Sequence, residues 1–260
     1  IYFTNRDYVT WNWKAGGSAS SNSDGTITSS VSANTTAGFS IVSYTGNGTN
    51  NSNVTIGHGL GVKPDLVIIK NRDASTDWVT WHQNLSTHGT YVNMNIFLQS
   101  TGAENFYSDQ FREADASTFS VRSPDSSNGK VNKNGDNYIA YCFSGVEGYS
   151  KFGSYTGNGN SDGVFVYTGF RPAWVLVKRT DSAENWVLKD SARNTFNDVF
   201  SNLNPNTINA EFGSSGDVNS FDFVSNGFKI RGSNSAVNAS SGTFIYLAFA
   251  EAPFKNARAR

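Results

Sequence analysis

A near-identical passage occurs twice in the chain. Residues 43–48 read Ser-Tyr-Thr-Gly-Asn-Gly, and residues 154–159 repeat the same letters. Each copy is followed by a proline, a hydrophobic run, a lysine and a Trp-Val pair. The spacing from proline to tryptophan is the same in both copies, and a tandem repeat of roughly a hundred residues favours architecture or recognition over catalysis.

The two copies also end alike. Residues 138–141 read Tyr-Ile-Ala-Tyr and residues 246–249 read Tyr-Leu-Ala-Phe. A chain of 260 residues is long enough for two domains that each bury a core of their own. We therefore expect the end of an upstream module and a polar connector at 1–38, a first repeat at 39–148 and a second repeat at 149–260.

The composition indicates an all-β fold. Aromatic residues make up 14% of the chain, and Gly, Ser, Thr and Asn separate short apolar runs. Such runs, bounded by turn residues and without helical spacing between them, are typical of antiparallel strands. The predicted fold is two tandem β-sandwich (jelly-roll-like) modules with a short N-terminal extended arm.

The first part of the chain allows more than one interpretation. Residues 9–13 alternate in a way that predicts a strand with Trp11 and Trp13 on one side. Residues 16–38 are almost entirely small and polar, which is typical of a flexible linker. The β-propensity of residues 26–31 equally favours a short hairpin or an extended arm along a neighbour.

Three local predictions concern the repeats. The run Leu66 to Ile69 predicts a core strand that is buried on both faces. We expect the following strand to place Trp78 and Trp81 on one face. The spacing of apolar residues between Asp190 and Asn202 predicts one or two helical turns.

Charge and cysteine content exclude several classes of protein. The net charge is −1 and only 16% of residues are charged, so the chain lacks the basic field of a nucleic-acid-binding protein. No apolar run is long enough for a transmembrane helix, and no membrane insertion is expected. The single cysteine, Cys142, lies in an apolar run and is expected to be a buried small hydrophobe. Because the chain begins at Ile1, we interpret it as part of a longer polypeptide or a processed product.

A search for catalytic chemistry yields no site. The three histidines, His58, His82 and His88, have no nearby set of carboxylates with metal-ligand spacing. The acidic residues between Glu104 and Asp115 are better explained as a solvated loop than as a glycosidase pair. We therefore expect no catalytic residue, no metal and no cofactor.

Aromatic side chains are candidates for ligand recognition, since sugar rings often stack on Trp or Tyr. Trp78 and Trp186 occupy equivalent repeat positions, which favours a core role for both. Trp81 corresponds instead to Lys189, so the repeat does not require a core role there. The weak candidates for an exposed ligand-binding surface are Trp81, His82 and Tyr91.

Long strings in the chain resemble a known family. The segments 57–64, 138–143, 148–159, 169–174 and 249–255 are similar to a repeat domain found widely in structural proteins of marine bacteriophages, notably cyanophages. The resemblance implies a virion structural protein of the tail or fibre, in a family whose members are sometimes joined to lectin-like sandwich domains. It implies no catalytic residue.

Our leading hypothesis is a virion component without enzymatic activity, most simply a tail fibre that contacts the host surface. We expect self-association, most simply as a trimer, and contacts with other virion proteins at the particle surface. A capsid decoration protein is an alternative. A carbohydrate-binding lectin-like module is another, and it predicts glycan binding that is lost in Trp81→Ala. A depolymerase would release reducing ends from a host polysaccharide.

Overall fold

The regular secondary structure of the described residues is almost entirely antiparallel β-sheet. The computed structural model describes residues 8–49, 53–88, 91–107, 110–122 and 129–252, with the backbone alone at 88 and 91–93. Within these ranges every strand pairing in the sheets is antiparallel, and the one helix, α1 (Ser235–Asn238), is a single turn. The predicted all-β class is confirmed.

The strands fall into two halves of the chain. The first half contains β1 (Ser20–Asn22), β2 (Ser29–Asn34), β3 (Phe39–Thr45), β4 (Asn53–Gly57), β5 (Leu66–Asn71), β6 (Val79–His82), β7 (Thr87–His88), β8 (Tyr91–Asn93), β9 (Ile96–Phe97), β10 (Phe111–Ala114), β11 (Thr118–Arg122) and β12 (Asn137–Phe143). The second half contains β13 (Ser150–Thr156), β14 (Phe165–Tyr167), β15 (Pro172–Arg179), β16 (Val187–Asp190), β17 (Phe221–Val224), β18 (Gly227–Ile230) and β19 (Thr243–Ala250).

The two halves share one strand order. The first inner sheet runs β1-β2-β3-β12-β5-β6-β9, and the second inner sheet runs β13-β19-β15-β16, which matches the central part of the first. The first outer sheet, β10-β11-β4, is likewise matched by the second outer sheet, β17-β18-β14. Each half is thus a β-sandwich of an inner and an outer sheet, and the sequence repeat corresponds to a repeat of topology.

The inner sheets have apolar side chains on both faces. Along β19, Phe244, Tyr246 and Ala248 point into the core of the second sandwich. The alternate residues of β19 point the other way, into a cluster that contains residues from both halves of the chain. We call this cluster the shared core; it joins the inner and outer sheets of both halves into a stack of four, apart from the two-stranded sheet of β7 and β8. Its buried members are Phe39, Leu66, Leu85, Ile96, Phe143, Phe152, Trp174, Leu176, Trp186, Leu188, Ile245, Leu247 and Phe249.

Direct contacts cross the shared core. The ring centroids of Phe143 and Phe152, one from each half, lie 5.9 Å apart. At the edge of the cluster, the Trp186 Nε1–H donates to the carbonyl of Phe97 at 3.1 Å. The buried Lys178 ammonium donates to the carbonyl of Thr101 at 3.1 Å. The halves are therefore joined by packing and by hydrogen bonds, and their division into separately folding domains at 39–148 and 149–260 stays a prediction.

The N-terminal segment is part of this structure. Strands β1 and β2 form a hairpin that extends the first inner sheet beyond β3, which favours the paired arm over the flexible linker. Residues 9–13 form no strand, so that prediction is wrong. Trp11 and Trp13 nevertheless lie on one side, because both rings pack edge-on against Trp174 at the rim of the shared core.

Two further local predictions are wrong. Trp81 and Val79 share the face of β6 that points into the first core. Trp78 precedes the strand and is half-buried. The two tryptophans do not share a face, because side chains three residues apart along an extended chain point to opposite sides. Residues 191–202 form turns, bends and isolated bridges rather than helix. The backbone N–H groups of Val199 and Asn202 donate to the carbonyls of Phe221 and Phe212, so long-range pairing satisfies this backbone in place of a helical ladder.

The repeated Tyr-Thr-Gly-Asn-Gly passage makes the same set of hydrogen bonds to a buried asparagine in both halves, and we call this set the asparagine lock. The amide oxygen of buried Asn132 accepts from the backbone N–H of Asn47 at 3.0 Å, and its NH₂ group donates to the Asn47 side chain. Asn238 makes the same pair of bonds with Asn158, and its NH₂ group also donates to two backbone carbonyls. The tyrosine hydroxyl of each passage donates to a carbonyl at 2.7 Å. Each lock fastens the end of the first strand of its repeat, β3 or β13, to the segment before the last strand, β12 or β19.

We expect Asn238→Ala to lower the free energy of unfolding by about 2–4 kcal/mol, because it leaves several buried backbone and side-chain groups unpaired. Asn132→Ala should have an effect of the same sign. Urea unfolding followed by tryptophan fluorescence measures both. The control Asn209→Ala replaces an exposed side chain and should change stability by less than about 0.5 kcal/mol. Equal effects at all three sites would contradict the lock.

Candidate functional site

Strand β14 carries two large aromatic side chains on its solvent face. Phe165 is 48% exposed and Tyr167 is 57% exposed, whereas Val166 between them points into the second core. This alternation follows from the period of a strand, whose successive side chains point to opposite faces. Exposed aromatic rings side by side on a rigid sheet are a feature of recognition surfaces. We call Phe165 and Tyr167 the aromatic platform.

The neighbouring strand shapes the platform. Gly227 of β18 lies directly opposite Tyr167 in the sheet. A Cβ atom on Gly227 would lie 2.9 Å from Cε2 of the Phe165 ring, so this ring rests over the bare backbone of the glycine. A larger residue would push the ring away, so Gly227 fixes where it sits.

Lys151 of β13 contacts both the backbone and the ring of Tyr167. The Lys151 ammonium donates to the Tyr167 carbonyl at 3.0 Å and lies 5.0 Å from the centroid of the Tyr167 ring. A cation over an aromatic face is attracted by the negative face of the ring. The ring is thereby oriented while more than half of its residue surface stays accessible.

Charged groups flank the platform. Lys229 lies opposite Phe165, and its ammonium is 2.7 Å from the Asp162 carboxylate. The hydrogen bond from Lys229 lowers the pKa of the Asp162 carboxyl, and this side chain stays ionised at neutral pH. Arg231 forms an ion pair with Asp222 on the next strand. Apolar rings beside fixed donors and acceptors can stack on the C–H face of a sugar and hydrogen-bond its hydroxyls.

A second concavity lies on the first inner sheet. It is a polar groove of about 360 Å³ in which hydroxyl groups of neighbouring strands stand in a row. Arg72 is the charged residue of its lining, and the groove contains no exposed aromatic ring. This hydroxyl groove offers hydrogen bonds without a stacking surface. Its other lining residues are Ser21, Thr28, Ser29, Ser30, Ser43, Tyr44, Thr45, Asn137 and Tyr138.

The candidates predicted from sequence do not form an exposed surface. Trp81 is only 2% exposed and stacks on Phe111, with ring centroids 4.7 Å apart. His82 is fully buried, and its Nδ1 accepts a hydrogen bond from the backbone N–H of Asn84 at 3.1 Å. The prediction of exposure is wrong for both, because β6 is an interior strand of the first inner sheet. The side chain of Tyr91 lies outside the described residues.

Trp81 was selected because the second copy of the repeat has Lys189 at the corresponding position, and this comparison was misleading. Lys189 is buried too, and its ammonium donates to the carbonyl of Phe200 at 2.9 Å. A change of residue type between copies thus does not by itself indicate exposure. The signal in the sequence that points to the platform is the alternation of β14 itself, in which Phe165 and Tyr167 flank the buried Val166.

The other histidines do not suggest a metal centre. His58 is buried, with Nε2 3.2 Å from the carbonyl of Asp115 and Nδ1 accepting from the backbone N–H of Leu60. Burial lowers the pKa of His58, so its ring is neutral at pH 7. The side chain of His88 lies outside the described residues. Among the side chains that the structure describes, no three His, Cys, Asp or Glu residues are grouped as metal ligands.

Comparison with known proteins identifies the family. Residues 2–253 match the model of a family described as Domain of unknown function (DUF7483), and the chain belongs to that family. The match runs through both copies of the repeat. No curated protein and no solved structure matches the chain significantly. In the described part of the chain, no helix has the length and apolar character needed to cross a membrane.

Burial of His82 predicts a loss of stability in acid. Burial lowers the pKa of this side chain to about 3, compared with 6.5 in the unfolded chain. Between these values the unfolded state binds a proton that the folded state does not, so stability is complete above pH 6.5 and falls as the pH drops toward 3.

We expect His82→Asn to flatten this decline. Asn can still accept the hydrogen bond from Asn84 but does not titrate. Between pH 6.5 and 4 the free energy of unfolding of the unmodified protein should fall by up to about 1.4 kcal/mol per pH unit more than that of the variant. Urea unfolding at a series of pH values measures the difference. Parallel pH profiles would show that His82 does not titrate on unfolding.

Proposed function

We propose that this chain is a structural and attachment component of a bacteriophage particle, most simply part of a tail fibre, and has no catalytic activity. The observation that carries the proposal is the shared core, which turns two copies of one sandwich into a single four-sheet block. Repeated sandwiches that are joined by apolar packing form a rigid unit, and a rigid repeated unit suits a structural role in a particle. The resemblance of its repeat strings to virion structural proteins supports the same function.

The distribution of reactive side chains also supports a non-catalytic role. Lys178 and Lys189 are fully buried; the Lys178 ammonium donates to two backbone carbonyls and the Lys189 ammonium to one. Burial lowers the pKa of Lys178 to about 8 and that of Lys189 to about 7. Such values also occur in catalytic lysines, but neither side chain reaches a surface where a substrate could meet it. We assign both to the architecture of the second half.

The proposal places the chain on the particle surface, in contact with further copies of itself and with other virion proteins. Gold-labelled antibodies against this chain should bind intact particles produced from the genome that encodes it. Labelling at the tail is expected, and labelling over the capsid would favour the decoration protein. Label confined to host debris, with particles bare, would contradict the proposal. Particles treated with pre-immune serum provide the control.

A second candidate function is carbohydrate binding, which the aromatic platform specifically favours. The platform combines two exposed rings with an ion-paired rim on a rigid sheet. These features are also compatible with an attachment protein, because host surfaces present polysaccharide. The hydroxyl groove contains no exposed ring, and we therefore base the carbohydrate prediction on Phe165 and Tyr167.

On an array of bacterial surface glycans, we expect saturable binding that weakens by more than about tenfold in the double variant Phe165→Ala, Tyr167→Ala. Phe196→Ala is the matched control, since this ring is 83% exposed and its neighbour Asn197 bonds to β17, at the opposite edge of the second outer sheet from β14. Circular dichroism should show an unchanged fold for all proteins. Binding that survives in the double variant would exclude the platform. An array without any binding would count against this second function but not against the structural one.

A further inference from the structure

One edge of the second inner sheet is left without a neighbouring strand. In β13, residues of odd number bond to β19, as shown at the two ends of the ladder, where Tyr149 accepts from Ala250 and Gly157 donates to Gly242. The backbone groups of the even-numbered residues therefore point away from the sheet. An edge of this kind is a template for another strand.

The first copy of the repeat shows what this edge accepts. Its equivalent strand, β3, is covered by β2 in an antiparallel ladder that pairs Ser43 with Ser30 and Ile41 with Ser32. The second copy has no counterpart of β2. Only six residues separate the end of β12 at Phe143 from the start of β13 at Ser150, too few to form a covering hairpin.

The free part of the edge is short and well defined. Ser150 exchanges backbone hydrogen bonds with Val146, and the Phe152 carbonyl accepts from the Gln83 side chain. By contrast, the N–H and C=O groups of Ser154 have no partner among the described residues. The side chain of Ser154 is exposed, so the opening is centred on this residue.

We propose that β13 is a self-association site, at which a second copy of this chain adds its own β13 antiparallel about a twofold axis at Ser154. The two Ser154 residues then exchange both backbone hydrogen bonds. Phe152 lies opposite Thr156 of the second copy, and Gly153 lies opposite Tyr155 of the second copy. Both strands of the contact are β13, and the twofold axis gives each residue pair twice, so the contact is self-complementary.

The charge distribution along β13 supports a second copy of this chain as the added strand. The only charged side chain of β13 is Lys151, which the twofold arrangement places opposite Gly157 rather than opposite another cation. Like charges across a strand pair would oppose association. The contact joins the second inner sheets of two copies into one continuous sheet, and it goes beyond the proposed function because it holds whatever particle or ligand the chain serves.

Sedimentation velocity of the purified chain, from about 1 to about 300 µM, tests the proposal, since an interface below standard size gives weak association. We expect a monomer–dimer equilibrium for the unmodified protein. Ser154→Lys and Ser154→Glu place like charges at the twofold axis and should each weaken dimerisation by more than about tenfold. An equimolar mixture of the two variants should regain the dimer, because opposite charges then meet at the axis.

The matched control is Asn209→Lys, which adds the same charge at an exposed loop position and should leave dimerisation unchanged. Circular dichroism should show that all variants keep the fold, since the Ser154 side chain makes no contact that the fold needs. A protein that stays monomeric throughout the range overturns the proposal. So does a dimer or trimer that survives in both Ser154 variants, because the copies then meet elsewhere. Failure of the mixture to regain the dimer excludes the twofold register.

Discussion

The structure depends on the burial of the two apolar faces that the inner sheets turn toward each other. A sandwich normally exposes the outer face of each sheet to water, and here one such face in each half is covered by the other half. The clearest consequence is in β19, whose alternate residues Ile245, Leu247 and Phe249 enter the shared core. Because apolar burial is the main favourable term in folding, covering both faces ties the stability of each sandwich to the other.

This arrangement explains why the repeat is conserved in some parts of the chain and divergent in others. The asparagine locks recur because both sandwiches must close the same loop, with Asn132 and Asn238 in the same role. The positions that differ lie where the two halves meet different surroundings. Trp81 stacks inside the first core whereas its counterpart Lys189 reaches a loop carbonyl, and the edge that β2 covers in the first half is open in the second.

Much of the fold could be predicted from the sequence because strand periodicity and exact repetition are local signals. The run Leu66 to Ile69 was correctly predicted to be buried on both faces, and the structure shows why: one face meets the first core and the other meets the shared core. The shared core itself could not be predicted, since nothing in a sequence states which sheet will cover which. The helix expected after Asp190 is absent because backbone groups of this segment pair with distant residues, as Val199 does with Phe221, and a sequence does not show such long-range partners.

The candidate site was harder to predict than the fold. Residue type alone singled out Trp81, but exposure is a property of the assembled sheets, and an interior strand buries even a tryptophan that the repeat does not require. Phe165 and Tyr167 follow the alternation of β14, and that signal is present in the sequence. The alternation does not say which face of the strand meets solvent, and the structure supplies this.

Differential scanning calorimetry of the whole chain tests the shared core most directly. If the two sandwiches are stabilised through one buried cluster, the protein should unfold in a single transition, with equal calorimetric and van't Hoff enthalpies. Two separate transitions, or a calorimetric enthalpy about twice the van't Hoff value, would show that the halves fold independently and would contradict this account.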